Sequence, residues 1–300
     1  MTSVLTTVAA LRAACNDARA LGLSVGVVPT MGYLHEGHRS LMHIARSECN
    51  FVVVTIFVNP LQFGPNEDLE SYPRDLEADL SACEAEGVDV VFTPQVRDLY
   101  PIFPPSTTVH VEGLTDALCG ASRPGHFDGV TTIVAKLFAV VGPSNAYFGR
   151  KDAQQLAVVR RMTTELELPV NVVGCPLVRE PDGLAKSSRN AYLTVAERQA
   201  AVAISRALRQ GVEAVELGMR DAAQVRACVE GAIAVEPALR IDYVEVCDAA
   251  SIAAIDELDG SVLIAVAVLC GTTRLIDNAT LTITGSHVVA DLGTGWVFES

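Results

Sequence analysis

The chain has 300 residues, half of them hydrophobic, with 36 acidic against 22 basic residues and a formal net charge of −14. So acidic a balance excludes bulk binding to nucleic acid, which needs a basic footprint. An aromatic content of 5% leaves few platforms for base stacking. A local cationic pocket for a nucleotide stays open. The eight cysteines (Cys15, Cys49, Cys83, Cys119, Cys175, Cys228, Cys247 and Cys270) form no CxxC pair, and they read as reduced, buried thiols rather than a disulfide scaffold. Residues 1–23 lack a signal-peptide pattern, and the longest apolar run, Val262 to Cys270, has nine residues, the length of a strand rather than a membrane span. A cytoplasmic protein with no membrane partner is expected.

Residues 4–21 read as an amphipathic helix ended by Gly22. A strand at 24–28 follows, rich in β-branched residues, and Pro29 is expected to stop its ladder. A helix at 37–48 leads to Phe51–Val58, a continuous apolar run suited to a central parallel strand. Residues 59–65 read as a loop. Pro73 opens a predicted helix through Glu86, and Val88–Phe92 is the next strand. Thr107–Val111 reads as a short strand and Gly120–Gly129 as a loop. A helix at 130–141, a strand at 145–148, a helix at 153–166 and a strand at 170–173 continue the alternation. That alternation is the pattern of an α/β, Rossmann-like, doubly wound parallel sheet. Beyond it, Thr194 opens a capping box for a helix to about 217, Asp221 caps another to about 235, and strands follow at 241–247, 261–269 and 274–283. These elements predict a smaller C-terminal α+β domain, giving domains 1–178 and 179–300 with Gly183 supplying hinge freedom. The tail after Gly285 is weakly patterned.

The segment Val25–His38 reads as a buried strand, a glycine turn and a helix start. Gly32 and Gly37 let backbone approach a ligand closely. His35 and His38, three residues apart, share a face where free N–H groups and the helix dipole favour an anion such as phosphate. The spacing of three does not suit the four-residue HExxH metal motif.

Five ordered blocks extend this reading: Pro29-Thr-Met-Gly with His35-Glu-Gly-His38, Phe57–Phe63, Arg123–Phe127 with Gly129-Val130, Phe148–Gln155, and Asp182–Asn190. Together they resemble the pantothenate synthetase, or pantoate–β-alanine ligase, family of the HxGH nucleotidyltransferase superfamily over nearly the whole chain. The resemblance implies an ATP-dependent ligase. Pantoate would attack the α-phosphate of ATP to give pantoyl adenylate and pyrophosphate, and the β-alanine amine would then displace AMP.

Site residues are implied by the same resemblance. Met31, Gly32, Tyr33, Leu34, His35, Glu36, Gly37 and His38 would contact nucleotide, with His38 as proton or hydrogen-bond donor and His35 supporting it. Gly149, Arg150, Lys151 and Asp152 would form a second nucleotide block in which Lys151 holds phosphate. Arg150 stands where the family commonly has an acidic residue. Lys186, Ser187, Ser188 and Arg189 resemble a KMSKS-type loop, with lysine at 186 in place of the usual methionine. Val178 would pack against adenine, and Gln62 and Gln155 would bind pantoate, though Gln154 leaves the register of that last block to be checked. Arg123 and His126 would border the pocket, and Asp79 would ligate Mg2+ accompanying ATP. A homodimer is also implied. Other readings are a nucleotidyltransferase acting on a phosphorylated substrate and a non-catalytic nucleotide sensor. An aminoacyl-tRNA synthetase is disfavoured by acidity and size.

Overall fold

The structure is a computed structural model that describes residues 2–65 and 67–295. The elements run β1 (Ser3–Leu5), α1 (Val8–Ala20), β2 (Val25–Thr30), α2 (Glu36–Glu48), β3 (Phe51–Ile56), α3 (Leu76–Ala85), β4 (Val90–Phe92), α4 (Val96–Leu99), α5 (Cys119–Ser122), α6 (His126–Val141), β5 (Ser144–Gly149), α7 (Ala153–Glu165) and β6 (Val170–Cys175). They continue with β7 (Val178–Arg179), α8 (Val195–Glu216), α9 (Ala222–Ala234), β8 (Leu239–Asp248), β9 (Gly260–Cys270), β10 (Thr273–Thr284), β11 (His287–Asp291) and β12 (Thr294–Gly295). Two compact units result, residues 1–149 with 158–175 and residues 150–157 with 176–300.

In the first unit, the described residues form a parallel sheet of six strands in the order β1-β4-β3-β2-β5-β6. This is the expected doubly wound sheet. Its central strands carry β-branched side chains on both faces, and Val27, Val28, Val52, Val53 and Val54 are fully buried. The strand order reverses at β2, and in such sheets ligands bind beyond the carboxyl ends of the strands at that reversal. β2 runs directly into residues 31–38, and β5 ends at Gly149.

In the second unit, an antiparallel sheet in the order β11-β10-β9-β8 packs one face against α8 and α9. Val262, Ile264, Val266, Val268 and Cys270 alternate along β9 into this core, and Leu263, Ala265 and Ala267 between them are buried on the opposite face. Thr194 and Glu197 form the predicted capping box, and Asp221 accepts from Gln224 N at the start of α9. None of the eight cysteines forms a disulfide, and burial pushes the Cys15 thiol up to about 11 and Cys83 up to about 12.

Several boundaries differ from the sequence reading. The first predicted helix begins late, because Thr7 caps α1 and residues 3–5 pair with β4 as an edge strand too short to show periodicity. Pro29 lies within β2 rather than ending it. The Thr30 carbonyl accepts from Phe57 N on the β3 side, so alternation turns the Pro29 nitrogen toward β5, whose pairing with β2 covers only Gly26 and Val27. The helix expected from Pro73 starts at Leu76, where Asp75 is the better cap. Thr107–Val111 is not a strand. Its backbone is tied to α6 instead, with Val109 N donating to Thr132 Oγ1 at 2.9 Å. α6 begins at His126, four residues before the predicted helix, after Gly125 in a left-handed conformation (φ 79°). The tail after Gly285 contributes a fourth strand, β11, to the C-terminal sheet.

Candidate active site

The turn after β2 is held by a buried carboxylate. Asp79, 3% exposed, accepts from Tyr33 N at 2.9 Å (Oδ2) and from Leu34 N at 2.7 Å (Oδ1). Burial pushes its carboxyl above the usual range, outweighing those two N–H groups. Gly32 and Tyr33 are both left-handed, with φ of 82° and 51°. A Cβ at position 32 would stand 2.9 Å from Asp79 Oδ2, so glycine alone fits there. A half-exposed, left-handed tyrosine is an uncommon backbone state, and Asp79 fixes it. Each oxygen takes one backbone donor, so Asp79 braces this turn in addition to the metal role expected of it. Among the described residues, no group of three or more His, Cys, Asp or Glu could hold a metal ion.

His35 and His38 open α2 together. His35 Nδ1 accepts from Gly37 N at 3.1 Å, and His38 Nδ1 accepts from His35 N at 3.3 Å. The two rings lie 4.1 Å apart between centroids. Because a backbone N–H can only donate, the Nδ1 of each ring is the acceptor and the proton of the neutral ring sits on Nε2. The pair therefore presents two Nε2–H donors at a helix N-terminus. Met31, Leu34, Glu36 and Gly37 are half-buried in the same turn.

Gln62 lies at the end of the 3-10 turn Pro60–Gln62, which follows β3. Its carbonyl oxygen accepts from His126 Nδ1 at 2.8 Å and from Arg123 Nη2 at 3.2 Å. Arg123 Nη1 donates to His126 Nε2 at 3.0 Å, so His126 is neutral with its proton on Nδ1. Glu67 receives Arg123 bidentately at 2.7 and 2.6 Å. Burial acts to raise Glu67, but the Arg123 hydrogen bond and charge hold its carboxyl below the usual value. Asn59 donates to Gly129 O at 3.0 Å and accepts from Tyr100 Oη at 3.0 Å, and a side chain at 129 would overlap the Leu61 carbonyl. Arg123 and His126 thus brace the backbone beneath Gln62. Glu67 lies in none of the five blocks, and Asn59 lies in the Phe57–Phe63 block without an assigned role.

In the second unit, Arg150–Asp152 form a 3-10 turn that leads into α7, where Gln155 is half-buried and Gln154 is buried. Arg150 pairs with Asp291 at 2.6 Å. Val178 is 5% exposed, and its carbonyl accepts from Lys186 N at 2.9 Å. The Lys186 ammonium sits 2.9 Å from Glu180, so it is neither solvent-facing nor unpaired. Ser187 caps the 3-10 turn Ser188–Tyr192 by accepting from Arg189 N at 3.3 Å. Structure-specific anchors lie further along the chain. Arg179 forms a buried bidentate pair with Asp277 at 2.7 and 3.0 Å, and Asn278 bonds the 150–151 backbone. The adjacent Asp277 and Asn278 in the middle of the strand at 274–283 were the available sequence signal.

Known proteins can be set beside this geometry. The profile of the family described as Pantoate-beta-alanine ligase matches residues 3–280. The chain belongs to the pantoate-beta-alanine ligase family. Pantothenate synthetase of Acetivibrio thermocellus is 52% identical over 275 residues, covering 92% of this chain and 98% of that protein. Pantothenate synthetase of Heliobacterium modesticaldum is 58% identical over 257 residues, covering 86% and 91%. The crystal structure of pantothenate synthetase from Thermus thermophilus superimposes with a TM-score of 0.86 at 47% identity, covering 92% of this chain and 98% of that one. Pantoate-beta-alanine ligase from Francisella tularensis, complexed with beta-gamma ATP and beta-alanine, superimposes at 0.76 with 31% identity, covering 93% and 97%. The fold described above is thus similar to those of these solved pantothenate synthetases.

Proposed function

We propose that the chain condenses pantoate with β-alanine at the expense of ATP, forming pantothenate, AMP and pyrophosphate. Family membership carries this reading, and the helix-start histidine pair is the structural observation that supports it most directly. A pantoate carboxylate oxygen bonds to the α-phosphorus as the bond to the pyrophosphate oxygen breaks. The β-alanine nitrogen then bonds to the acyl carbon, AMP leaves with the acyl oxygen, and the amine loses a proton. The first step gathers negative charge on phosphate oxygens, so positioned donors accelerate it most.

In this reading, His35 and His38 donate from Nε2 to those oxygens, which each ring can do while neutral. Residues 31–37 contribute backbone to the nucleotide. Gly149, Arg150, Lys151 and Asp152 belong to the same nucleotide set, with Lys151 and the Ser187–Arg189 segment neutralising phosphates. The Lys186–Glu180 pair gives Lys186 a structural role beside them. Gln62 and Gln155 orient pantoate through uncharged amides, and Val178 packs on adenine. The larger compact unit is the main nucleotide- and pantoate-binding part, while residues 150–157 and 176–178, expected in it, group with the smaller unit that carries the Ser187–Arg189 segment. Mg2+ arrives on ATP, whose own oxygens supply most of its ligands, with Asp79 as the protein carboxylate expected beside it.

We further propose a cytoplasmic homodimer. No helix among the described residues is long and apolar enough to cross a membrane, and light scattering measures the subunit number. The function is tested by assaying pantothenate with ATP, pantoate and β-alanine each omitted in turn. Product should require all three. Pyrophosphate release independent of pantoate would favour a different transfer reaction, and ATP binding without any product would favour a sensor.

A further inference from the structure

Strand β10 buries an adjacent acid and amide in its middle. Asp277 and Asn278 are 3% and 5% exposed, and buried polar groups persist only when fully partnered. Asn278 Nδ2 donates to the carbonyl oxygens of Arg150 at 2.9 Å and Lys151 at 2.8 Å. Both amide hydrogens are thus directed at the turn that carries Lys151. Asp277 takes both terminal nitrogens of Arg179, at 2.7 and 3.0 Å. Arg179 Nη1 also donates to Gly183 O at 3.0 Å, and its Nε donates to Leu292 O. Arg179 follows Val178, whose carbonyl receives Lys186 N. Adjacent residues of one strand therefore hold the Lys151 turn and the hairpin that runs into Ser187–Arg189.

We infer that Asp277 and Asn278 are positioning residues for ATP, fixing Lys151 and the Ser187–Arg189 segment in a single frame. The inference rests on the proposed role of those two segments as phosphate ligands. Neither β10 side chain touches substrate in this scheme. Their effect is to remove a search: two cationic elements on separate turns reach one polyphosphate only if their backbones share a reference, and a sheet strand is the most rigid one available. A buried ion pair adds little net stability over an apolar replacement, so bulk stability alone does not explain this arrangement.

The test compares Asn278→Ala, Lys151→Ala and the double variant, varying ATP, pantoate and β-alanine separately and monitoring thermal unfolding. Asn278→Ala is expected to raise KM for ATP by about tenfold while KM for pantoate stays within about twofold. The double variant should be no worse than Lys151→Ala, because Asn278 acts through Lys151. A folded Asn278→Ala protein with unchanged KM for ATP, or losses that multiply in the double variant, overturns the inference alone. A silent Lys151→Ala overturns the phosphate-ligand reading and the inference with it. Should Asn278→Ala fail to fold, Asn278→Ser, which keeps one donor, undergoes the same measurements. Asp277→Asn, paired with Arg189→Ala, tests the second arm by the same criteria.

Discussion

Replacing Asp79 with asparagine separates its two conceivable duties. The wild-type carboxylate gives one oxygen to Tyr33 N at 2.9 Å and the other to Leu34 N at 2.7 Å. The Asp79→Asn variant would keep one acceptor and turn an NH2 group toward the remaining N–H, leaving that donor buried and unsatisfied. Such a loss costs about 1–3 kcal/mol. Relief of the buried charge offsets part of it, as the raised Asp79 carboxyl indicates, leaving a net of about 1–2 kcal/mol. The midpoint of thermal unfolding should then fall by about 2–8 °C in ligand-free enzyme with EDTA present. Adenylate formation at subsaturating ATP should fall about five- to thirtyfold, because the turn carrying His35 and His38 loses its brace. Both quantities are measured across a magnesium titration. An unchanged unfolding midpoint, together with activity restored by excess magnesium, would refute the bracing argument and leave Asp79 the metal role alone.

Other outcomes follow from the same geometry. His38→Ala removes the acceptor for His35 N and one Nε2–H donor. Single-turnover adenylate formation should drop about a hundredfold or more with unchanged circular dichroism, and a near-normal burst would contradict the assignment. Glu67→Gln reports on the clasp under Gln62. With the folded-state carboxyl held below its usual 4.5, the wild-type advantage in stability is complete above that value and disappears as pH falls through the lower folded one. Urea titrations of both proteins over that range check the sign, and an advantage that grows on acidification would reverse it. Lys186→Met breaks the partly exposed pair with Glu180. Its cost should be about 1 kcal/mol or less, with KM for ATP within about twofold, whereas a tenfold rise would make Lys186 a phosphate ligand.

Long-range order was legible wherever it left a local trace. Runs such as Phe51–Ile56 announce a parallel strand by composition, and the Thr194 and Asp221 caps announce helices by one side chain each. Where the trace is short it failed. Residues 3–5 form a strand only because β4 lies alongside, and His287–Asp291 is an edge strand whose side chains are only partly covered. The histidine pair was visible as a spacing, but the position of its protons required the backbone donors at Gly37 and His35. Braces such as Asp79, Arg123 and Asn278 act on main-chain atoms 45 to 128 residues away. A contact of that kind prescribes no neighbouring pattern, so the chain shows the residue without its duty.

The proline inside β2 has a geometric corollary. β5 bonds to β6 along all six of its residues but to β2 at only Asn145 and Ala146. Past Val27 these two strands run unlaced, and the Pro29 nitrogen, lacking a hydrogen, can donate no ladder bond at that point. A seam unzipped for its last three residues is a ready-made notch at the sheet's reversal, present before any loop contributes to it. Restoring an N–H at position 29 would offer the strands a way to close that notch, so the ring there preserves an opening by chemical omission.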